Sequence, residues 1–153
     1  MRIQKIEARS ILDSRKKLTV EVSVKTEKGS FTSSAPEGKS KGRFEAKPYA
    51  KSLQKDIEFL NNLKERELNR IKIEEFKGLK EIEGVTNENI GANSLFALES
   101  SILKALAVEQ EKELWEFLSR GKIRKLPFPV GNVTGGGLHG KGFKKKSQIF
   151  KNF

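Results

Sequence analysis

Eight consecutive residues constrain this chain more than any others. Leu18, Val20, Val22 and Val24 alternate with Thr19, Glu21, Ser23 and Lys25. An apolar residue at every second position turns one face of an extended strand into a core and leaves the other in water. Glu27-Lys28-Gly29-Ser30 follows as a turn, so the sequence predicts a hairpin from Leu18 to about Ser34. Residues 2–10, with Ile3 and Ile6 as strongly apolar positions, are expected to add another strand.

Beyond the hairpin the period changes. Pro36-Glu37-Gly38-Lys39-Ser40-Lys41-Gly42-Arg43-Phe44 places two glycines in a polar stretch and reads as a loop. Pro48 suits a first helical turn, and Tyr49, Leu53, Ile57, Leu60 and Leu63 then make one apolar helical stripe. A shorter helix is expected over 73–83, a loop over 84–89, and a third helix through Leu95, Leu98, Ile102 and Leu106. Leu114, Trp115, Phe117 and Leu118 form a last helix that stops near Gly121. Strands first and helices afterwards indicate an α+β domain rather than alternating βαβ units.

Composition narrows the chemistry. The 153 residues suffice for one core and include no cysteine and one histidine, His139, which excludes thiolate zinc sites, cysteine nucleophiles and histidine-cluster metal centres. No apolar run approaches the roughly 20 residues that cross a bilayer. Met1 to Glu7 is too polar for a signal peptide, so a cytoplasmic protein without membrane contact is expected. The net charge of +11 suggests an anionic partner, but nine basic residues and no acid lie from Arg120 onward. With these nine set aside the charge falls to +2, and the excess belongs to the C-terminal end. Phe143, Phe150 and Phe153 are the only aromatics among the later lysines, and no nucleic-acid recognition motif is present, which argues against a nucleic-acid partner.

Four stretches share a frame with known sequence patterns. Ala8-Arg9-Ser10-Ile11-Leu12-Asp13-Ser14-Arg15 and Thr19-Val20-Glu21-Val22 follow A-R-x-I-L-D-S-R-G-N-P-T-V-E-V, with Lys16-Lys17-Leu18 where the pattern has Gly-Asn-Pro. Pro36 to Gly42 with Glu45-Ala46 follows P-S-G-A-S-T-G-x-x-E-A in its frame. Gly91-Ala92-Asn93 follows L-G-A-N. Leu126-Pro127, Pro129, Asn132-Val133, Gly136-Gly137 and His139 follow L-P-x-P-x-x-N-V-x-N-G-G-x-H. In this order, and over nearly the whole chain, they resemble the enolases (phosphopyruvate hydratases), at the N-terminal domain and the first residues of the barrel.

The resemblance implies an α+β capping domain, a three-stranded antiparallel sheet with about four helices, over residues 1–125. Residues 126–142 would be a remnant of the first barrel strand and loop, and 143–153 a basic tail without stable packing. It implies a glycolytic lyase that dehydrates 2-phosphoglycerate to phosphoenolpyruvate with Mg²⁺. In that family the barrel supplies the magnesium-binding carboxylates, the proton-abstracting lysine and the glutamate that helps the hydroxyl leave. Taking a proton from beside a carboxylate makes a doubly charged enolate-like species, which needs such cations and such a lysine. The chain stops before those positions, so a truncated, inactive form is expected, completed by a separately encoded barrel or paired as a homodimer.

Residue by residue, the resemblance makes Gly38, Ser40 and Gly42 part of a lid loop. It puts Glu37 at the position of a magnesium-ligating serine, where a longer, charged side chain alters the geometry. It makes His139 a substrate contact and Arg9 and Arg15 dimer-interface arginines. Taken alone, His139 in a glycine-rich segment reads rather as a solvated histidine, and the two arginines are equally surface residues at strand ends. Gly135-Gly136-Gly137 lacks the Lys-Ser/Thr pair of a nucleotide loop.

The ending 143–153 does not follow the family. Permitted codons for Ser147–Phe153, read one base earlier, spell Lys-Pro-Asp-Phe-Gln-Glu-Phe, which restores a family strand and makes a frameshift in the Lys144-Lys145-Lys146 run an expectation that the gene sequence tests. The alternative function is a non-catalytic interaction or dimerisation module, with Leu126, Phe128 and Val130 as its apolar strip.

Overall fold

The alternating strand finds a partner on each side. The computed structural model describes residues 1–35, 38, 42–63, 68, 71, 73–119, 125, 128–129 and 131. In it β1 (Lys5–Leu12), β2 (Leu18–Thr26) and β3 (Gly29–Ala35) form an antiparallel sheet in the order β1-β2-β3. Ala8 lies opposite Val22, and Val22 opposite Ser33. Val20, Val22 and Val24 are completely buried, as the alternation requires.

The start of β2 breaks that pattern. Leu18 is 60% exposed, whereas Thr19, expected on the wet face, is 2% exposed. Leu18 sits opposite Leu12 at the open tip of the hairpin, where both leucines stay in solvent. Thr19 is covered by Tyr49, whose hydroxyl lies 3.3 Å from the threonine oxygen. The first strand begins later than expected, at Lys5, and runs on to Leu12; Ile3 ahead of it is nonetheless buried.

Four α-helices follow among the described residues: α1 (Leu53–Asn61), α2 (Leu79–Thr86), α3 (Ala92–Glu109) and α4 (Leu114–Ser119). The first starts at Leu53 and not at Pro48, because the Ser52 hydroxyl accepts the Lys55 N–H (3.2 Å) and caps it. The Lys47 and Pro48 carbonyls are committed elsewhere, to Ala92 and Asn93 N–H groups at the start of α3. Ile73 precedes the second helix, which is reached through a 3₁₀ turn at Phe76–Gly78. It then runs through Gly84–Thr86, where a loop was expected, and ends at Asn87 in the left-handed conformation (φ 36°).

The longest helix, α3, crosses the buried face of the sheet. Its inward residues include Ser94, Ala97, Leu98, Ser101, Ile102 and Ala105. Small residues let the helix come close enough for the Ser101 hydroxyl to reach the Val22 carbonyl at 2.9 Å. Ile57 and Leu60 from α1, Ile82 from α2 and Phe117 from α4 complete the core. Residues 1–123 form one compact unit. Phe128 is 95% exposed, while Leu126, Val130 and the tail 143–153 lie outside the described residues.

Candidate functional site

The loop between β3 and α1 carries most of the expected site. Glu37 and Ser40 lie outside the described residues, as does His139; Gly38 and Gly42 are exposed. The loop's second half is tied to itself: Gly42 N–H donates to Glu45 Oε2 (2.8 Å), and Glu45 N–H to the Gly42 carbonyl (3.3 Å). The Arg43 guanidinium stands 5.5 Å above the Phe44 ring, which is itself almost fully exposed.

A buried carboxylate holds the far end of this loop. Asp56 is 0% exposed. Its Oδ2 accepts the Gly91 N–H and the Ser94 hydroxyl, both at 2.7 Å, and its Oδ1 accepts the Ala50 N–H at 3.2 Å. One side chain thus joins the loop's end, α1 and the first turn of α3, where the helix dipole also favours negative charge. Gly91 has no room for a side chain: a Cβ there would lie 2.2 Å from Tyr49 Cα. That contact gives the Gly91-Ala92-Asn93 motif a structural meaning, since Ala92 and Asn93 N–H groups bind the same segment.

The β1–β2 turn forms a separate knot. Asp13 Oδ1 accepts the backbone N–H groups of Arg15 (2.8 Å) and Lys17 (2.9 Å). The Lys17 N–H, followed by that of Arg15 and its charge, holds the Asp13 carboxyl below the usual range. Lys16 occupies the left-handed region at φ 60°. Of the two candidate interface arginines, Arg9 pairs with Glu21 across the sheet, and Arg15 Nε lies 3.5 Å from Asp13.

Among the described residues no group of three His, Asp or Glu side chains comes close enough to hold a metal ion. The residue expected at the magnesium position, Glu37, lies outside the described residues. No described helix is long and apolar enough to cross a membrane.

Residues 3–118 match the family model for "Enolase, N-terminal domain". The chain belongs to the enolase family. It is 35% identical to Enolase 1 of Entamoeba histolytica over 91% of its own length, 37% identical to the enolase of Thermoplasma acidophilum over 91%, and 33% identical to that of Pyrococcus furiosus over 86%. It spans only about a third of these curated relatives, 36%, 36% and 34% of their respective lengths. Its three-stranded antiparallel sheet and four described helices have the architecture expected of the enolase N-terminal domain.

Asp56 and Thr19 were missed as site-shaping residues. Asp56 had a visible signal: it lies three residues after Leu53 and four before Leu60, on the enolase domain's apolar stripe, where a carboxylate must find donors. Thr19 had none, because the strand period assigns it to water.

Proposed function

We propose that this chain acts as the capping domain of an enolase, covering a phosphorylated three-carbon substrate in an active site whose acid, base and magnesium-binding groups come from a barrel domain. The family match over residues 3–118, with about a third of the relatives' length spanned, is the observation that carries this reading. In the dehydration of 2-phosphoglycerate, the C2 proton and the C3 hydroxide leave and phosphoenolpyruvate and water form. The loop from residue 36 to 48 would exclude bulk water from that reaction. Glu37 would stand at the Mg²⁺-ligand position, Gly38, Ser40 and Gly42 would belong to the lid, His139 would contact substrate, and Arg9 and Arg15 would lie at a dimer interface. Residues 1–125 would be the cap, 126–142 the entry to the barrel and 143–153 an unpacked basic tail.

By themselves the 153 residues would turn over no substrate. The test is an enolase assay with Mg²⁺ on the full chain, alone and mixed with the barrel domain of a relative. No turnover alone and turnover in the mixture is the expected result; appreciable turnover by the chain alone defeats the reading.

A second reading, a non-catalytic interaction module, is favoured by Phe96, Trp115 and Leu118, which are 60%, 54% and 47% exposed on α3 and α4. Size-exclusion chromatography of the full chain with and without a barrel protein distinguishes the two. A complex that forms without turnover supports the module.

A further inference from the structure

Two chain segments enter and leave the loop of residues 36–48, and one hydroxyl touches both. On the entering side, Ala35 is the last residue of β3. On the leaving side, Tyr49 follows Pro48 and packs over Gly91. Between them lies Thr19, whose hydroxyl donates to the Ala35 carbonyl at 2.6 Å and lies 3.3 Å from the Tyr49 hydroxyl. A carbonyl can only accept, so the single proton of Thr19 goes to Ala35. The Tyr49 hydroxyl must then donate to Thr19. The three groups form one relay, from phenol to threonine to carbonyl, centred on a threonine that is 2% exposed.

The surroundings make the relay a closure and not an incidental contact. Ala35 is already fixed by its place opposite Val20 in the sheet. Tyr49 is fixed by its neighbours: the Lys47 and Pro48 carbonyls accept from α3 (2.9 and 3.0 Å), and the Ala50 N–H donates to Asp56. Each side is anchored to a different part of the core, and the Thr19 hydroxyl is the direct side-chain bridge between the two. Thr19 is also buried on the strand face that elsewhere presents Glu21, Ser23 and Lys25, so its burial follows from this contact and not from the strand's own period.

We propose that Thr19 is a positioning residue that pins together the two ends of the 36–48 loop, with Tyr49 as its second half. Holding Ala35 and Tyr49 through one hydroxyl restricts the relative positions these two segments can take. The inference depends on the capping reading only for its importance to substrate. Its test reads the loop's local opening, so the two ideas fail separately.

The test is amide hydrogen exchange, followed by mass spectrometry, on the full chain carrying Thr19→Val, Thr19→Ser or Tyr49→Phe. Valine keeps the shape and removes the hydroxyl; serine keeps the hydroxyl. Thr19→Val is expected to speed exchange in peptides covering residues 42–50 about fivefold, the factor given by losing one typical hydrogen bond. Peptides from the centre of α3 should exchange as in the parent chain. Thr19→Ser should match the parent, and Tyr49→Phe should give a smaller increase confined to the same peptides. Unchanged exchange at 42–50 in Thr19→Val overturns the proposal, as does an increase shared equally by α3 or one that Thr19→Ser reproduces. Should Thr19→Val not fold, Tyr49→Phe decides by the same criterion: a local increase supports the pin, and parent-like or uniformly faster exchange removes it.

Discussion

Asp56 and Asp13 solve the same problem in two settings. Each carboxylate accepts backbone N–H groups that would otherwise lack a partner, three donors in all for Asp56 and two for Asp13. Asp56 does so in the interior and links segments up to 38 residues apart, while Asp13 does so at a partly exposed hairpin tip and links residues within four positions. The difference teaches where a polar contact carries the fold. If Asp56 is removed, buried donors are stranded; if Asp13 is removed, water takes its place.

The largest effect is therefore expected at Asp56. Asp56→Ala should lower unfolding free energy by about 3–4 kcal/mol, since two backbone N–H groups and a hydroxyl lose their acceptor in the core. A urea titration followed by circular dichroism measures this, and a loss below about 1 kcal/mol would show that the two aspartates are energetically alike. At the tip the expected change is smaller and of opposite sign. Lys16 carries a side chain at φ 60°, and Lys16→Gly should stabilise by about 0.5 kcal/mol, the relief of left-handed strain less the added freedom of an unfolded glycine.

The pH dependence sharpens the comparison further. Because the folded Asp13 carboxyl titrates below its unfolded value, its contribution is complete above about pH 4 and disappears as pH falls through the lower folded value. Asn at this position keeps an acceptor for Arg15 and Lys17, so Asp13→Asn should retain the turn while losing part of the acid sensitivity below about pH 4. Glu99 on α3 shows the reverse case. Partial burial, with the charge of Glu83 beside it, pushes its carboxyl upward, so stability falls as pH rises from the unfolded value near about 4 and the full cost is present above the folded value. Glu99→Gln should stabilise by no more than about 0.5 kcal/mol at pH 7, as solvent screens a half-exposed group, and the gain should vanish below about pH 4.

These contrasts also show what was legible beforehand. Val20, Val22 and Val24 announced the sheet because a period of two has one physical cause, and the Ile102 and Leu106 stripe announced α3 in the same way. The boundaries that failed were set by distant partners. Pro48 lies outside α1 because Asn93 takes its carbonyl, and that commitment spans more than forty residues of chain. Gly84 reads as a breaker, yet α2 holds it, with Thr86 bonded back to Ile82 at 3.0 Å, until Asn87 ends the helix. The candidate site divided along the same line: motif frames marked the loop and Gly91-Ala92-Asn93 but not the close approach of Gly91 to Tyr49, and the burial of Thr19 depends on that same tyrosine thirty residues away.

At the outer side of β1, Asn61 ends α1 with its amide oxygen 2.7 Å from the Ala8 nitrogen and its amide nitrogen 2.9 Å from the Ala8 oxygen. A single side chain there imitates a neighbouring strand. On the opposite rim, Lys104 reaches the Thr32 carbonyl, at 2.7 Å from a long and exposed stem. Growth of the sheet by a foreign strand is thus directional: one border is sealed by a helix that would have to undock, and the other is guarded by a cation that needs only to swing aside.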